Sequence, residues 1–192
     1  MPDLSLKERK RIAIRRDLTA VALELFLRDG YENTTVDQIA AGAGMSRRTF
    51  FRYYNAKEDV IVGKWDLIGL DMVTALEERP ADEPIWDSLR AMYDVVIQHY
   101  ADPEKREQSL AVDSIVAATP ALRHSYLARR DVFEGIVTDM LLKQRGGDRL
   151  AVRALVGAVT ACVEAAREET LQTRPLALGP AIDRALAAMR GA

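Results

Sequence analysis

Cysteine, histidine and phosphate-binding glycine motifs are scarce or missing in this 192-residue chain, and each absence argues against a class of site. The single cysteine, Cys162, rules out an intramolecular disulfide, which fits a reducing compartment. The two histidines, His99 and His124, have no partner at metal-ligand spacing. No Walker-type or dinucleotide-binding glycine motif occurs. We therefore expect no enzyme activity, no metal and no cofactor.

Long apolar runs are also missing. Apolar residues make up 48% of the chain, which is ample for a core, yet no uninterrupted run approaches the length of a membrane span. The first residues lack the apolar centre of a signal peptide. We expect a cytoplasmic protein that does not associate with a membrane.

The most informative segment that is present covers residues 34–54, which read as two short helices joined by a tight turn. Thr35 is a good N-cap for a helix that runs to about Ala43. Gly44 favours the left-handed conformation that ends such a helix, and Ser46 caps the next one. This pattern predicts a helix-turn-helix.

The second of these helices is rich in side chains that can contact DNA. A helix of this kind places guanidinium groups at base edges in the major groove. The accessible candidates are Arg47, Arg48, Thr49, Arg52 and Tyr53, with Ser46 at the cap. The alternative is an ordinary helical hairpin with a solvated basic end.

Two flanking features favour DNA binding over that alternative. Lys57 lies near the start of the next helix, where its charge opposes the helix dipole and indicates an anion such as a phosphate nearby. The net charge is only −2, but residues 1–65 carry +3 and the remainder carries −5. Much of the basic excess comes from an N-terminal arm that we expect to meet DNA, although it could serve only solubility. Its residues are Arg9, Lys10, Arg11, Arg15 and Arg16.

Residues from about 15 to 60 resemble the DNA-binding region of the TetR/AcrR family of bacterial transcriptional regulators. The matching stretches keep a fixed register and include Ala22-Leu23-Glu24-Leu25-Phe26, Gly30-Tyr31-Glu32, Thr34-Thr35-Val36, Ile39-Ala40, Ala43-Gly44-Met45-Ser46 and Thr49-Phe50-Phe51-Arg52-Tyr53-Tyr54-Asn55-Ala56-Lys57-Glu58. The resemblance covers about a quarter of the chain. It implies an all-α fold in which a three-helix DNA-binding domain over residues 1–56 precedes a helical effector-binding and dimerisation domain over residues 57–192.

The resemblance also implies roles for individual residues. Thr35 and Lys57 lie where the family contacts phosphates, and Tyr53 lies where a contact to the DNA backbone is common. Arg47, Arg48 and Thr49 lie on the part of the recognition helix that faces bases. Two positions depart from the family pattern. Phe51 replaces a tyrosine whose hydroxyl binds phosphate, and Arg48 stands where small residues are frequent. We expect Phe51 to contribute less than a tyrosine would to positioning the helix on the phosphate backbone. We expect Arg48 to contact bases more strongly than a small residue would, with guanine as its partner in the operator half-site.

Beyond residue 56 the sequence reads as helix throughout, without an alternating strand pattern. Prolines, glycines and capping residues predict six helices there, which with the three at the front make about nine. They cover residues 57–78, 84–101, 104–118, 120–144, 148–173 and 179–190.

A set of apolar side chains in this part is either core or the lining of an apolar ligand pocket. It comprises Trp65, Ile68, Met72, Trp86, Leu89, Tyr93, Val96, Tyr126 and Phe133. The region from residue 83 to 146 resembles actinobacterial TetR members that accompany mycofactocin clusters, a group associated with fatty acyl-coenzyme A thioesters. That resemblance implies an acyl-thioester-like effector.

Small residues on the later helices suit a close helix pair, which is either internal or a symmetric homodimer interface. The small residues are Ala154, Ala158, Ala161 and Ala165, and the last helix adds the larger Ile182 and Leu186. A dimer presents two recognition helices to successive turns of a palindromic site.

Taken together, these features predict a sequence-specific DNA-binding regulator that binds a double-stranded operator as a homodimer. The family resemblance favours a repressor that is released when a small, largely apolar effector binds the second domain. The alternative is an effector-independent DNA-binding repressor or an architectural protein.

Overall fold

The computed structural model describes residues 5–172 and 177–190, which contain helices and no strand. The all-α prediction is therefore confirmed for the described residues. The helical segments are α1 (Leu6–Asp29), α2 (Val36–Gly42), α3 (Arg47–Phe50), α4 (Lys57–Glu77), α5 (Ile85–Met92), α6 (Asp94–Ala101), α7 (Pro103–Ala118), α8 (Pro120–Arg145), α9 (Arg149–Gln172) and α10 (Leu178–Arg190).

The predicted helix over residues 84–101 is interrupted at Tyr93, which separates α5 from α6. Tyr93 has φ −77° and ψ −5°, so the backbone stays in the right-handed region and the interruption is local. Counted as one interrupted helix, α5 and α6 bring the described total to the nine that were expected.

The basic N-terminal residues do not form an arm, because they lie inside α1. Ser5 caps this helix through a reciprocal pair of hydrogen bonds with Glu8, so the helix begins before the basic run. The helix ends at Asp29 and is followed by Gly30 at φ 87°.

The later helix ends follow the predicted signals to within a few residues. Asp148 Oδ2 accepts a hydrogen bond from the backbone N–H of Ala151 at 2.9 Å, which makes Asp148 the cap of α9. α10 begins at Leu178, one residue before the predicted Gly179. The predicted end of α9 at Thr173 lies outside the described residues.

By compactness the chain forms two units, and the functional division after residue 56 stays a prediction. Unit 1 contains the described residues up to Gly69 together with Gln108–Tyr126. Unit 2 contains Leu70–Glu107 and the described residues from Leu127 onward.

The core of unit 1 is one cluster of buried apolar side chains. Most come from α1 to α4, and three come from the returning segment of α7 and α8. The members are Leu18, Ala22, Leu25, Phe26, Tyr31, Ile39, Ala40, Phe50, Tyr54, Val60, Ile61, Val112, Val116 and Leu122.

In unit 2, α9 packs against α10. Four valines at helical spacing form the buried stripe of α9, namely Val152, Val156, Val159 and Val163. The C-terminal end of α8 is fastened by Arg145, whose guanidinium donates to the carbonyls of Glu83 at 2.6 Å and Pro80 at 3.0 Å and to Ser88 Oγ at 2.8 Å.

Candidate nucleic-acid interface

The predicted helix-turn-helix is formed by α2 and α3, and its buried side chains hold it against α1. Ile39 and Phe50 are fully buried, and Ala40 is 1% exposed. Gly42 lies close against α1, because a Cβ built there would lie 2.7 Å from Val21 Cγ1. The scaffold of the site is therefore apolar and tightly packed.

The turn between the two helices is closed by a Schellman motif, which accounts for Gly44. The N–H of Met45 donates to the Ala40 carbonyl at 2.8 Å, and the N–H of Gly44 donates to the Ala41 carbonyl at 2.9 Å. Gly44 has φ +66°, a conformation that L residues adopt at a cost, so the predicted left-handed glycine is confirmed.

Both predicted caps are present. Thr35 Oγ1 accepts from the Gln38 N–H at 3.3 Å, and Gln38 Oε1 accepts from the Thr35 N–H at 2.8 Å, which completes a capping box. Ser46 Oγ accepts from the Thr49 N–H at 3.1 Å and lies 2.9 Å from Thr49 Oγ1. Thr35, Ser46 and Thr49 thus have local partners that fix the starts of α2 and α3.

Helix α3 is short, and the chain continues as turns from Phe51 to Tyr53. We call residues 46–54 the recognition segment. At its end the Tyr54 hydroxyl lies 2.9 Å from Thr19 Oγ1 in the interior, so this anchor ties the segment to α1.

Within the recognition segment, Arg47 is held by two neighbours. Its Nη1 donates to Asp37 Oδ2 at 2.8 Å across the turn, and its Cζ lies 5.5 Å from the centre of the Phe51 ring. The ring of Phe51 is itself set edge-to-face on Phe50, with centroids 5.4 Å apart. Phe51, which lacks the hydroxyl of the family pattern, supports an arginine here.

Arg48 and Arg52 are exposed on the same segment. Arg52 lies over the ring of Tyr53 at 5.9 Å. Arg48 makes no hydrogen bond or ion pair with any residue that the structure describes. Of the three arginines in the segment, Arg48 therefore has the fewest intramolecular contacts to lose when it binds a partner molecule.

Lys57 has an internal role that the sequence pattern did not reveal. Its ammonium donates to the Tyr31 carbonyl at 2.8 Å and lies 4.3 Å from the centre of the Tyr31 ring. The Tyr31 hydroxyl in turn donates to Glu58 Oε1 at 3.0 Å, and burial together with Glu58 raises the pKa of Tyr31. These contacts explain a lysine at a helix N-terminus without requiring a phosphate.

Arg15, expected among the basic residues that meet DNA, is likewise used inside unit 1. Its Nη2 donates to Asp66 Oδ2 at 2.8 Å, and its side chain is 16% exposed. Its Cζ lies 5.0 Å from the centre of the Tyr54 ring. The ion pair and the ring contact keep this guanidinium away from the surface.

Comparison with known proteins agrees with this geometry. The family described as "Bacterial regulatory proteins, tetR family" matches residues 18–62, which span the caps, the turn and the recognition segment. The HTH-type transcriptional regulator TcmR of Streptomyces glaucescens is 35% identical over 147 residues, covering 74% of this chain and 65% of that protein. Over residues 18–62 the chain resembles the TetR family.

Two further comparisons extend the likeness. MftR of Mycobacterium tuberculosis, named for mycofactocin biosynthesis, is 34% identical over 91 residues, which cover 47% of this chain and 46% of MftR. The chain thus spans less than two thirds of the length of both curated relatives. The structure of Thermus thermophilus FadR in complex with lauroyl-CoA has the same fold, with a TM-score of 0.57, 18% identity and coverage of 92% and 93% of the two chains. The relatives named here are transcriptional regulators, which agrees with the expectation that the protein is not an enzyme.

The nine residues considered for a TetR-type effector pocket are divided between the two units. Trp65, Ile68 and Tyr126 lie in unit 1, where the Trp65 and Tyr126 rings are 4.9 Å apart and half-buried. The other six lie in unit 2, and three of them are buried. The buried ones are Met72, Leu89 and Tyr93, and the half-buried ones are Trp86, Val96 and Phe133.

Trp86 lines a cleft in unit 2, and the volume of this cleft is about 180 Å³. Arg190 lies over the Trp86 ring at 5.1 Å and donates to Asp87 at 2.6 Å, so the cleft is lined by paired charges as well as by an indole. Tyr93 instead points inward, with its hydroxyl 3.3 Å from Thr160 Oγ1. Trp86 and Tyr93 therefore do not line one apolar pocket among the described residues.

The residues considered for a dimer interface also differ in burial. Ile182 and Leu186 are 0% and 4% exposed within the single chain, where α10 packs against α9. Ala158 is half-buried, whereas Ala154, Ala161 and Ala165 are exposed. The sequence pattern missed three exposed large apolar residues near this part of the chain, namely Val132, Ile136 and Leu150.

Cys162 lies in unit 2. Cys162 is buried, and burial raises the pKa of its thiol. Among the described residues, no cluster of three metal-ligating side chains is found, and no helix is long and apolar enough to span a membrane.

Proposed function

We propose that this protein is a sequence-specific DNA-binding transcriptional repressor. The observation that carries the proposal is the recognition segment, in which Arg48 is exposed beside Arg47 and Arg52 on a capped and buried scaffold. Guanidinium groups at the start of a recognition helix pair with guanine O6 and N7 in the major groove. The TetR-family relatives are regulators, which supports the same function.

Selection of binding sequences from a randomised duplex pool, followed by fluorescence anisotropy, tests this proposal. Arg48→Ala is expected to weaken binding to the selected operator by about 5- to 150-fold, the range of a lost bidentate base contact. Arg28→Ala is the matched control, because Arg28 is exposed at the end of α1 and pairs with Asp29. Unchanged affinity of the Arg48 variant would contradict base reading by this residue.

The proposed repressor acts as a homodimer on a palindromic operator, because one short recognition segment reads few bases. Exposed apolar side chains on α8 and α9 support self-association in this part of unit 2. Val132 is 64% exposed, Ile136 50% and Leu150 77%.

Light scattering tests the homodimer directly, with twice the mass of the chain as the expected result. Ala161→Glu is expected to shift the protein towards monomer, because it places a charge on the exposed face of α9. Ala20→Glu is the control, since Ala20 is exposed on α1 in unit 1. Monomers for the wild-type protein at micromolar concentration would contradict the dimer.

The proposed signal for release is a small, largely apolar effector, and a long-chain acyl-coenzyme A is the class to test first. The FadR of the same fold was solved with lauroyl-CoA, and MftR shares a third of its aligned residues with this chain. The half-buried Trp65 and Tyr126 pair supplies an aromatic surface of the kind that apolar ligands contact.

Operator affinity measured with lauroyl-CoA, with free coenzyme A as control, tests the effector. A coupling of about 1–3 kcal/mol corresponds to a loss of affinity of about 5- to 150-fold. Equal affinities with both compounds would exclude this effector class. If no metabolite in a thermal-shift library stabilised the protein either, the effector-independent repressor would be favoured.

A further inference from the structure

Arg47 and Arg48 are neighbours in the recognition segment but are held in different ways. The Arg47 guanidinium is fixed from one side by the carboxylate of Asp37 at 2.8 Å and lies 5.5 Å from the centre of the Phe51 ring. Both members of the ion pair are well exposed, with 62% and 61% of their side-chain surfaces accessible. The arrangement is therefore a surface device and not part of the buried scaffold.

The ion pair with Asp37 does not occupy the edge of the Arg47 guanidinium that would contact a base. A guanidinium has five N–H groups in a planar fork, and Asp37 takes one donor on Nη1. The edge formed by Nε and Nη2 keeps parallel donors, which is the pair that guanine O6 and N7 accept. The Phe51 ring below the guanidinium limits the orientations of that plane.

We propose that Asp37 is a specificity-determining positioning residue that aims Arg47 at one base pair of each operator half-site. This inference rests on the proposed DNA-binding function and names the residue that sets the selectivity of Arg47. A long side chain that is already ordered loses less rotamer entropy on binding, so the correct base gains affinity relative to others. Asp37 itself carries a charge that repels phosphates, so its presence favours selectivity over general affinity.

A purely structural role for Asp37 makes a different prediction. Asp37 lies in the first turn of α2, where a carboxylate favours the helix N-terminus. Loss of that stabilisation would lower the melting temperature and weaken binding to every DNA sequence alike. The selectivity at a single base pair separates the two roles.

The experiment measures the affinity of Asp37→Asn for the selected operator and for operators with each half-site base pair replaced, at one salt concentration. The base pair read by Arg47 is identified as the one whose selectivity is lost in Arg47→Ala. Asp37→Asn is expected to lower the selectivity at that base pair by about 2- to 12-fold, the range for ordering one long side chain. Affinity for unrelated DNA should stay equal or increase, because a negative charge is removed.

Four further variants sharpen this experiment. In an Arg47→Ala background, Asp37→Asn should have no further effect on that base pair. Phe51→Leu should reduce the same selectivity, whereas Phe51→Tyr, which keeps the ring, should retain it. Asp17→Asn, an exposed carboxylate on α1, controls for the loss of one charge.

The outcomes distinguish this inference from the proposed function. Unchanged selectivity in Asp37→Asn, or an equal loss in the Arg47→Ala background, would overturn the positioning role while DNA binding stood. A wild-type protein that enriched no sequence from the pool would overturn the proposed function, and the positioning role with it.

Discussion

Replacing Gly42 by alanine tests how closely α2 is pressed against α1. The new Cβ would lie 2.7 Å from Val21 Cγ1, well inside the separation of about 3.5–4.0 Å at which carbon atoms attract. Valine is stiff at χ1, so the contact cannot be relieved by a simple rotation. Overpacking of this kind costs about 1–3 kcal/mol, and alanine recovers up to about 1 kcal/mol in helix propensity. We expect a net loss of up to about 2 kcal/mol.

Denaturant unfolding monitored by circular dichroism measures this loss, and a second substitution tests its cause. In a Val21→Ala background the obstructing methyl groups are absent, so Gly42→Ala should become neutral or stabilising. Gly44→Ala is the matched control, because a Cβ there meets nothing within 4 Å and the cost comes only from φ +66°. That cost should persist in the Val21→Ala background. Equal effects of Gly42→Ala in both backgrounds would refute the steric explanation.

Three further predictions concern contacts away from the turn. Hydrogen bonds from Arg79 and then Ser88 lower the pKa of Glu83 to about 2, so its contribution to stability is present above its ordinary value of 4.5 and is lost as the pH falls towards 2. Thermal unfolding of Glu83→Gln should therefore depend less on pH across that window, and an unchanged profile would contradict the network. Lys57→Met should lower the unfolding free energy by about 1–3 kcal/mol without DNA, because the Tyr31 carbonyl loses a charged donor. An unchanged melting temperature would show that the contacts of Lys57 with Tyr31 do not stabilise the fold. Cys162 is buried, so labelling by a thiol reagent should be slow until denaturant is added, and rapid labelling of the folded protein would disprove that burial.

The features that could be predicted from the sequence are those determined within a few residues. Thr35 and Ser46 accept hydrogen bonds from N–H groups three residues further along, and Gly44 closes a motif that spans six residues. Such signals are complete in a short window, so both caps and the turn were placed correctly. The exposed face of the recognition segment followed from the same window.

The features that could not be predicted depend on partners far along the chain. Lys57 meets a carbonyl 26 residues away, and Arg15 meets a carboxylate 51 residues away. The helix break at Tyr93 carries no proline or glycine signal, and the hydroxyl of this residue binds Thr160. A basic residue in a regular pattern looks available for DNA, and the internal partners of Arg15 and Lys57 become visible only in the folded chain. Contact of either residue with DNA stays a prediction.

Residues 108–126, which complete the core of unit 1, are synthesised long after its first helices, and this order affects folding. Val112, Val116 and Leu122 belong to the core that supports the helix-turn-helix, yet they follow Gly69 by some forty residues or more. At about 5–20 residues per second, a ribosome needs several seconds to add them after the first helices have emerged. During that interval the nascent helix-turn-helix region exposes apolar surface that the later segment covers. A chain truncated after Gly69 is therefore expected to aggregate or to be degraded, and cannot serve as a minimal DNA-binding fragment.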